Sequence, residues 1–179
     1  MLLTREPGGT DGAEALRALL LAGNVGWSAA GEAFVHFAAR ADHVALALRP
    51  ALARGAWVVC DRFSDSTMAY QADGQGADPA LIAGLAALVG LAPDLTLVLD
   101  VPPAVAAARL AGRGQTADRY EREDAAFQAR VRQGFLRIAA AEPGRCAVLD
   151  ATADTATVAD ALWAVVASRL GASRLEGGK

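Results

Sequence analysis

Lysine is almost missing from this chain: its 179 residues include sixteen arginines and a single lysine, Lys179, at the very end. Any side-chain cation that grips an anion inside the chain must therefore be an arginine. Cysteine is nearly as scarce. Cys60 and Cys146 stand alone at the ends of apolar runs, which excludes a zinc motif and a disulfide framework and leaves two buried strand thiols without chemistry. No apolar run approaches the length of a membrane span, and the N-terminus lacks a basic-then-apolar leader with a small-residue cleavage site, so the expectation is a cytoplasmic protein with no membrane contact. A net charge of -3 and a pI near 5.4 exclude a global pull towards nucleic acid, so any anion site is local. What the chain does have is apolar material, 54% of its residues, enough for one core. The expectation is a single domain over residues 1–170 and a flexible tail over 171–179.

The most informative stretch runs from Trp57 to Gln71. Trp57, Val58, Val59 and Cys60 predict a short buried strand, and Asp61 and Arg62 follow at its end, where open α/β sheets bind ligands. Neighbours on a strand point to opposite faces, so the two charges are expected to have separate partners. Arg62 offers a planar fork suited to a phosphate, and Asp61 offers oxygens suited to magnesium or its waters. Ser66, Thr67, Tyr70 and Gln71 then fall at helical spacing and form a hydrogen-bonding surface beside that clamp. The bland alternative is a strand that ends in a solvated pair and a capped helix.

Earlier in the chain, Thr4-Arg5-Glu6-Pro7-Gly8-Gly9-Thr10 reads as a strand end entering a glycine turn. Asp11 and Glu14 resemble a capping box for a helix that reaches about Leu21 and carries Arg17. Arg5 and Glu6 read on their own as solvated turn charges. A helical pattern follows from about Ala29 to Ala53, with Phe34, Phe37, Ala41, Val44 and Leu48 as its core stripe and Pro50 as a stop or kink. His36, Arg40 and His43 share a second stripe, suited to holding a planar base by stacking and hydrogen bonding, or equally to a half-buried His beside a surface Arg.

Further on, Asp73-Gly74-Gln75-Gly76 predicts a loop, Pro79 to about Val89 a helix, Pro93 to Asp100 a second buried strand, and Pro103 to about residue 111 another helix. Residues 112–120 hold Arg113, Arg119 and hinge glycines, a segment able to close over a polyphosphate or else an ordinary charged loop. Glu121 to about Ala141 predicts a long helix with Phe127, Val131, Phe135 and Ile138 inward. Cys146 to Asp150 is the last strand, and Asp154 to Leu170 the last helix. There is no internal repeat. Strand and helix alternate along the chain.

Taken together, Thr4-Arg5-Glu6-Pro7-Gly8-Gly9, His36-Phe37-Ala38-Ala39-Arg40, Asp61-Arg62-Phe63 with Ser66-Thr67 and Tyr70-Gln71, and Pro93-Asp94-Leu95-Thr96 resemble bacterial thymidylate kinase over nearly the whole chain. The resemblance implies a nucleoside-monophosphate kinase of the P-loop type, an α/β fold with a parallel sheet and helices on both faces. It implies transfer of the γ-phosphoryl of magnesium ATP to dTMP, giving dTDP, and a homodimer. By the same resemblance Arg62 holds the dTMP phosphate, Arg40 hydrogen-bonds thymine and the ring at position 36 stacks on it. Arg5, Glu6 and Arg17 match other nucleotide-site positions. Ser66, Thr67 and Gln71 match base and sugar contacts, Tyr70 the residue near the deoxyribose, and Asp61 the group that helps place Mg2+, through water. Arg113 and Arg119 match the closing lid on the ATP side, with Arg113 reaching the transferring phosphoryl.

Two departures stand out. Position 36 is usually Phe or Tyr in the family, and here it is histidine. The family also begins with a strand, a Gly-rich loop ending in Gly-Lys-Ser/Thr and a helix, whereas this chain opens at what would be the second strand. The resemblance implies that about thirty residues, the length of such a unit and including the central strand of the sheet, precede Met1 in the natural protein, and that the 179 residues alone turn over little. The alternatives are a thymidine-nucleotide-binding relative without catalysis and a kinase for another nucleoside monophosphate.

Overall fold

The computed structural model describes residues 1–23, 25–112, 114 and 118–172, in two compact units. Met1–Ala92 with Gln115–Gly134 make the first, and Pro93–Gly114 with Phe135–Lys179 the second. Arg113 and nearly all of the expected tail lie outside the described residues.

In the first unit β1 (Leu2–Arg5) pairs in parallel with β2 (Val58–Asp61), Leu3 opposite Val59 and Arg5 opposite Asp61. Burial along both strands alternates, and the partners Leu3 and Val59 are 67% and 54% exposed. Continuous apolar runs predict strands covered on both faces; here only one face of this ladder is packed. Helix α1 (Asp11–Leu21) is capped by Thr10, whose hydroxyl accepts from the Ala13 amide at 3.3 Å, so the cap sits one residue before the expected Asp11. Glu14 instead reaches back to the Gly9 amide at 3.0 Å.

Helix α2 (Ala29–His43) starts at the Ser28 cap and runs through a π-helical stretch, Val44–Leu48, into α3 (Arg49–Ala53). The wider turn lets the chain continue through Pro50, in the first turn of α3, where its missing N–H matters least. The buried face of α2 corrects the expected stripe. Phe37, Val44 and Leu48 are buried, but Phe34 is 53% exposed and Ala41 is exposed too, while Glu32, Arg40 and His43 are buried. Those polar groups face inward because each finds a partner from another part of the unit.

The helix after β2 begins as α4 (Ser64–Thr67) and continues as a π-helical stretch, Met68–Gly74, across what was expected to be a loop. At Gly74 a Cβ would lie 2.6 Å from the Phe127 ring, so glycine there admits close packing against α7 (Ala125–Ala141). Helix α5 (Pro79–Val89), capped by Asp78, packs Ile82 with Phe37, Ala33, Ala72 and Ala77 into the core of the unit. The start of α7 at Ala125 is later than expected, because Asp118 and Glu121 close a turn on themselves and Asp124 then accepts the Phe127 amide at 2.7 Å.

The second unit holds a second parallel pair, β3 (Thr96–Asp100) with β4 (Cys146–Asp150), Thr96 opposite Cys146. Arg145 ties the start of the ladder to Thr96 at 2.8 Å, and Arg109 of α6 (Pro103–Gly112) donates to the Ala151 carbonyl at 2.7 Å beyond its end. Asp154 caps α8 (Thr155–Leu170) as expected. Among the described residues the strands thus form two parallel ladders, one in each unit, with helices between successive strands.

Candidate functional site

The ends of β1 and β2, helix α2 and the Ser64–Gly74 helix enclose a cleft in the first unit. Arg5, Glu6, Arg17, His36, Arg40, Asp61, Arg62, Ser66, Thr67, Tyr70 and Gln71 all line it. Every substrate-side residue selected from the sequence is therefore brought to one place. Of the other two, Arg113 is outside the described residues, and Arg119 pairs with Glu32 at 2.6 Å. Phe63, Asp118, Tyr120 and Glu121 also line the cleft and were not foreseen.

Its floor is a buried polar network. The Glu6 carboxylate accepts from Arg40 Nε at 2.6 Å on one oxygen and from His43 Nδ1 at 3.0 Å on the other. His43 Nε2 lies 2.8 Å from the Thr4 hydroxyl, which joins α2 to β1. The ring comes so close to the glycine turn that a Cβ on Gly9, at φ +89, would meet Nε2 at 2.5 Å. The double glycine of the first motif thus has a local cause: a left-handed backbone and a histidine packed on it. Arg40 also donates to the Thr67 hydroxyl at 3.1 Å and lies over the rings of Phe37 and Phe63, at 4.4 and 5.2 Å from their centres. Its Nη1, buried, has no hydrogen-bond partner.

A second buried carboxylate, Glu32, organises the opposite end. One oxygen accepts from Gln71 (2.9 Å), Gln75 (2.8 Å) and the Tyr120 hydroxyl (2.8 Å), and Arg119 flanks the other. Burial alone would raise its pKa, but the bonds from Gln75, Tyr120 and Arg119 outweigh that and hold it below the usual carboxylate range. His36 Nε2 lies 2.9 Å from the Tyr120 oxygen. Burial first, and the Arg40 charge second, press the His36 pKa from 6.5 down to about 4, so the ring is neutral near pH 7. The signal for Glu32 was available, since Glu32, His36, Arg40 and His43 continue one stripe of α2. For Tyr120 the only hint was the Asp118–Glu121 spacing, whose side chains accept each other's amides at 2.9 Å.

The guanidinium groups around the cleft are unequal. Arg5 donates to both oxygens of Glu14 at 3.0 Å, Arg17 donates to the Pro7 carbonyl at 2.8 Å, and Arg40 is neutralised by Glu6. Arg62 differs. Among the described residues its guanidinium makes no ion pair; it lies 4.9 Å from the centre of the Tyr70 ring, and its φ is +67. A left-handed backbone at a residue other than glycine costs about 1–2 kcal/mol. The strand alternation expected to part Asp61 from Arg62 is not what separates them; the chain leaves the strand at Arg62. Asp61 is exposed at the end of β2, its carboxylate without a bonding partner among the described residues. Cys60 is inert: burial, and then the carboxylates of Glu6 and Asp61, push its thiol up to about 12.

The family profile described as Thymidylate kinase matches residues 1–162. The thymidylate kinase of Caulobacter vibrioides is 49% identical over 174 residues, 96% of this chain and 83% of that protein. That of Chromohalobacter salexigens is 52% identical over 171 residues, 93% of this chain and 81% of that protein. The crystal structure of thymidylate kinase from Ehrlichia chaffeensis is similar with a TM-score of 0.75 and 36% identity, over 92% of this chain and 79% of that one.

Proposed function

Because the chain belongs to the thymidylate kinase family, we propose that its cleft binds dTMP and presents the nucleotide's phosphate to ATP, giving dTDP and ADP. The observation that carries this reading is Arg62, the one cation at the cleft set in a strained backbone and not committed to an acid among the described residues. Its forked donors suit the two outer oxygens of a phosphate monoester. At the other end, the partnerless Nη1 of Arg40 suits a carbonyl oxygen of the base, and Glu6 holds that guanidinium in place. Tyr70, packed between Arg62 and Tyr120, forms the wall beside the sugar.

In the reaction a phosphate oxygen of dTMP attacks the γ-phosphorus of ATP, and the bond from that phosphorus to the β–γ bridging oxygen breaks to release ADP. Arg62 orients the attacking phosphate and offsets its charge as the two anions approach, which is most of the work in phosphoryl transfer. Asp61 fits Mg2+: it is a hard oxygen donor with an open carboxylate, and magnesium accepts one or two carboxylates together with substrate phosphates. The ion, when bound, supplies charge neutralisation on the phosphates. Arg113 carries the donor side of this reading, and Arg119 joins it there only by leaving Glu32, with which it pairs at 2.6 Å. The reading extends to a cytoplasmic homodimer. No helix among the described residues is long and apolar enough to cross a membrane, and Phe34, Leu46 and Leu88 leave apolar area exposed for a second copy.

Calorimetry with dTMP tests the site independently of the donor. Arg62→Ala is expected to weaken dTMP binding at least tenfold, about 1.4 kcal/mol. The same change is expected to lower kcat for dTMP-dependent ADP release by about a hundredfold in protein purified from its own cells. Unchanged binding in Arg62→Ala, or AMP binding as tightly as dTMP, would refute the reading.

A further inference from the structure

The turn Asp118–Glu121 delivers two side chains to α2: Arg119, which pairs with Glu32, and Tyr120, which meets both Glu32 and His36. The position of Tyr120 is set on three sides. The Asp118 and Glu121 side chains close the turn, Gln128 donates to the Tyr120 carbonyl at 2.7 Å, and the ring packs edge-on against Tyr70 at 5.4 Å and 82°. The hydroxyl therefore reaches Glu32 and His36 from a fixed place, 2.8 Å from one and 2.9 Å from the other.

The protons in this chain of three groups can be counted. Glu32 is fully buried, receives Gln71, Gln75 and Tyr120 on one oxygen and has Arg119 beside the other, so it is ionised and only accepts. Tyr120 has one hydroxyl proton, and Glu32 takes it. The Tyr120 oxygen can then meet His36 only as an acceptor, so the ring nitrogen that faces it must carry the proton. A neutral imidazole holds one N–H, and that leaves a lone pair on Nδ1.

We infer that Tyr120 is a positioning residue that sets the tautomer of His36: through the Glu32–Tyr120–His36 chain the imidazole is held with its proton on Nε2 and with Nδ1 as an acceptor. A tyrosine or phenylalanine at position 36 would gain nothing of this kind, since neither has a tautomer to set. The device is tied to the histidine of this chain. Its consequence for the substrate rests on the thymidylate reading above: a ring locked in one orientation and one protonation pattern at the cleft loses less freedom when a base packs on it. The proton on Nε2 rests on the hydrogen-bond geometry, and the free Nδ1 on that geometry together with the neutrality of the ring.

Long-range proton–nitrogen NMR spectra of the uniformly 15N-labelled protein at pH 7 test it directly. The chain has two histidines, and the signal lost in His36→Phe identifies the one of interest. The expected wild-type pattern is a protonated Nε2 and an unprotonated Nδ1; an Nδ1–H tautomer or a tautomer-averaged signal overturns the inference without any substituted protein. Tyr120→Phe keeps the ring packing and removes the hydroxyl, and it is expected to shift His36 to a mixture of tautomers. An unmoved tautomer in that variant overturns Tyr120 as the cause. For the substrate, Tyr120→Phe is expected to weaken dTMP binding about three- to tenfold when residue 36 is histidine, and less than twofold in the His36→Phe background. Equal losses in both backgrounds would mean that Tyr120 acts on the nucleotide itself and not through His36. Failure to bind dTMP at all would refute the thymidylate reading and leave the spectra to decide the tautomer.

Discussion

Glu6→Gln is the sharpest single test of the buried network. The native carboxylate serves two donors on separate oxygens, Arg40 Nε at 2.6 Å and His43 Nδ1 at 3.0 Å, with the Glu6 and Arg40 side chains 2% and 3% exposed. A glutamine has nearly the same shape but one accepting oxygen. Turned one way, its NH2 faces the Arg40 Nε donor. Turned the other, it faces His43 Nδ1, which can accept only if the imidazole moves its proton to Nε2. Either way the buried Arg40 charge loses its counter-charge. Removing one partner of a buried pair costs about 3–5 kcal/mol. The Thr67 hydroxyl and the Phe37 and Phe63 rings still attract the guanidinium, which favours the lower end, about 3 kcal/mol. For a chain of this size that lowers Tm by roughly 6–12 °C. Urea unfolding followed by circular dichroism measures it, and the slope should stay unchanged if only the native contacts are lost. The double change Glu6→Gln with Arg40→Met should cost less than the sum of the two singles by over ~1 kcal/mol. A loss under about 1 kcal/mol in Glu6→Gln, or additivity in the double variant, would refute the claim that Glu6 is what makes a buried Arg40 tolerable.

Two further outcomes follow from α2. Ser28→Ala removes the cap that accepts the Gly31 amide at 3.1 Å and should cost about 1 kcal/mol in urea unfolding, with a frayed first turn visible by hydrogen exchange at Gly31 and Glu32. His36 should make stability depend on acid. Its folded pKa, about 4, lies below the ordinary 6.5, so the unfolded chain binds the proton first; the contribution is fully present above pH 6.5 and is lost as pH falls towards 4, by up to about 3 kcal/mol. Unfolding of wild type and His36→Phe at pH 7 and 4.5 checks this, and parallel losses in the two proteins would contradict it.

The cleft was legible because its residues sit in two kinds of pattern that survive without a structure. Arg5, Glu6, Asp61 and Arg62 lie at or just past strand ends, and the ladder that pairs Arg5 with Asp61 brings two distant motifs side by side. His36 and Arg40 lie one helical turn apart. What was not legible is the inside of the network. Hydrophobic periodicity assigns apolar residues inward and charges outward, and on α2 it places Phe34 in the core and Glu32 outside, although Glu32 continues the stripe of His36, Arg40 and His43. The structure reverses both, because Glu32 and Arg40 find partners in Gln71, Tyr120 and Glu6, residues far away in the sequence, and a one-dimensional pattern carries no record of such partners. The π-helical turns at Val44–Leu48 and Met68–Gly74 escaped for a related reason. They shift a helical face by a fraction of a turn, which leaves the composition of the segment unchanged.

The same partners explain how an acidic protein can keep a local anion site. With a net charge of -3 the chain as a whole repels a nucleotide, so attraction must come from a cation whose charge is not spent nearby. Burying arginines beside carboxylates spends them: Glu6 offsets Arg40, and Glu32 offsets Arg119. At the surface Glu14 does the same for Arg5. These pairs gain order, since each guanidinium is held in one direction, but they give up long-range pull. Arg62 is the complement. It has the same guanidinium, set in a costly backbone conformation against an aromatic ring instead of an acid, and it keeps its charge for whatever enters the cleft. The division of labour follows from placement: arginines paired with acids give the site its shape, and Arg62, without an acid partner among the described residues at the end of β2, gives that end of the cleft its sign.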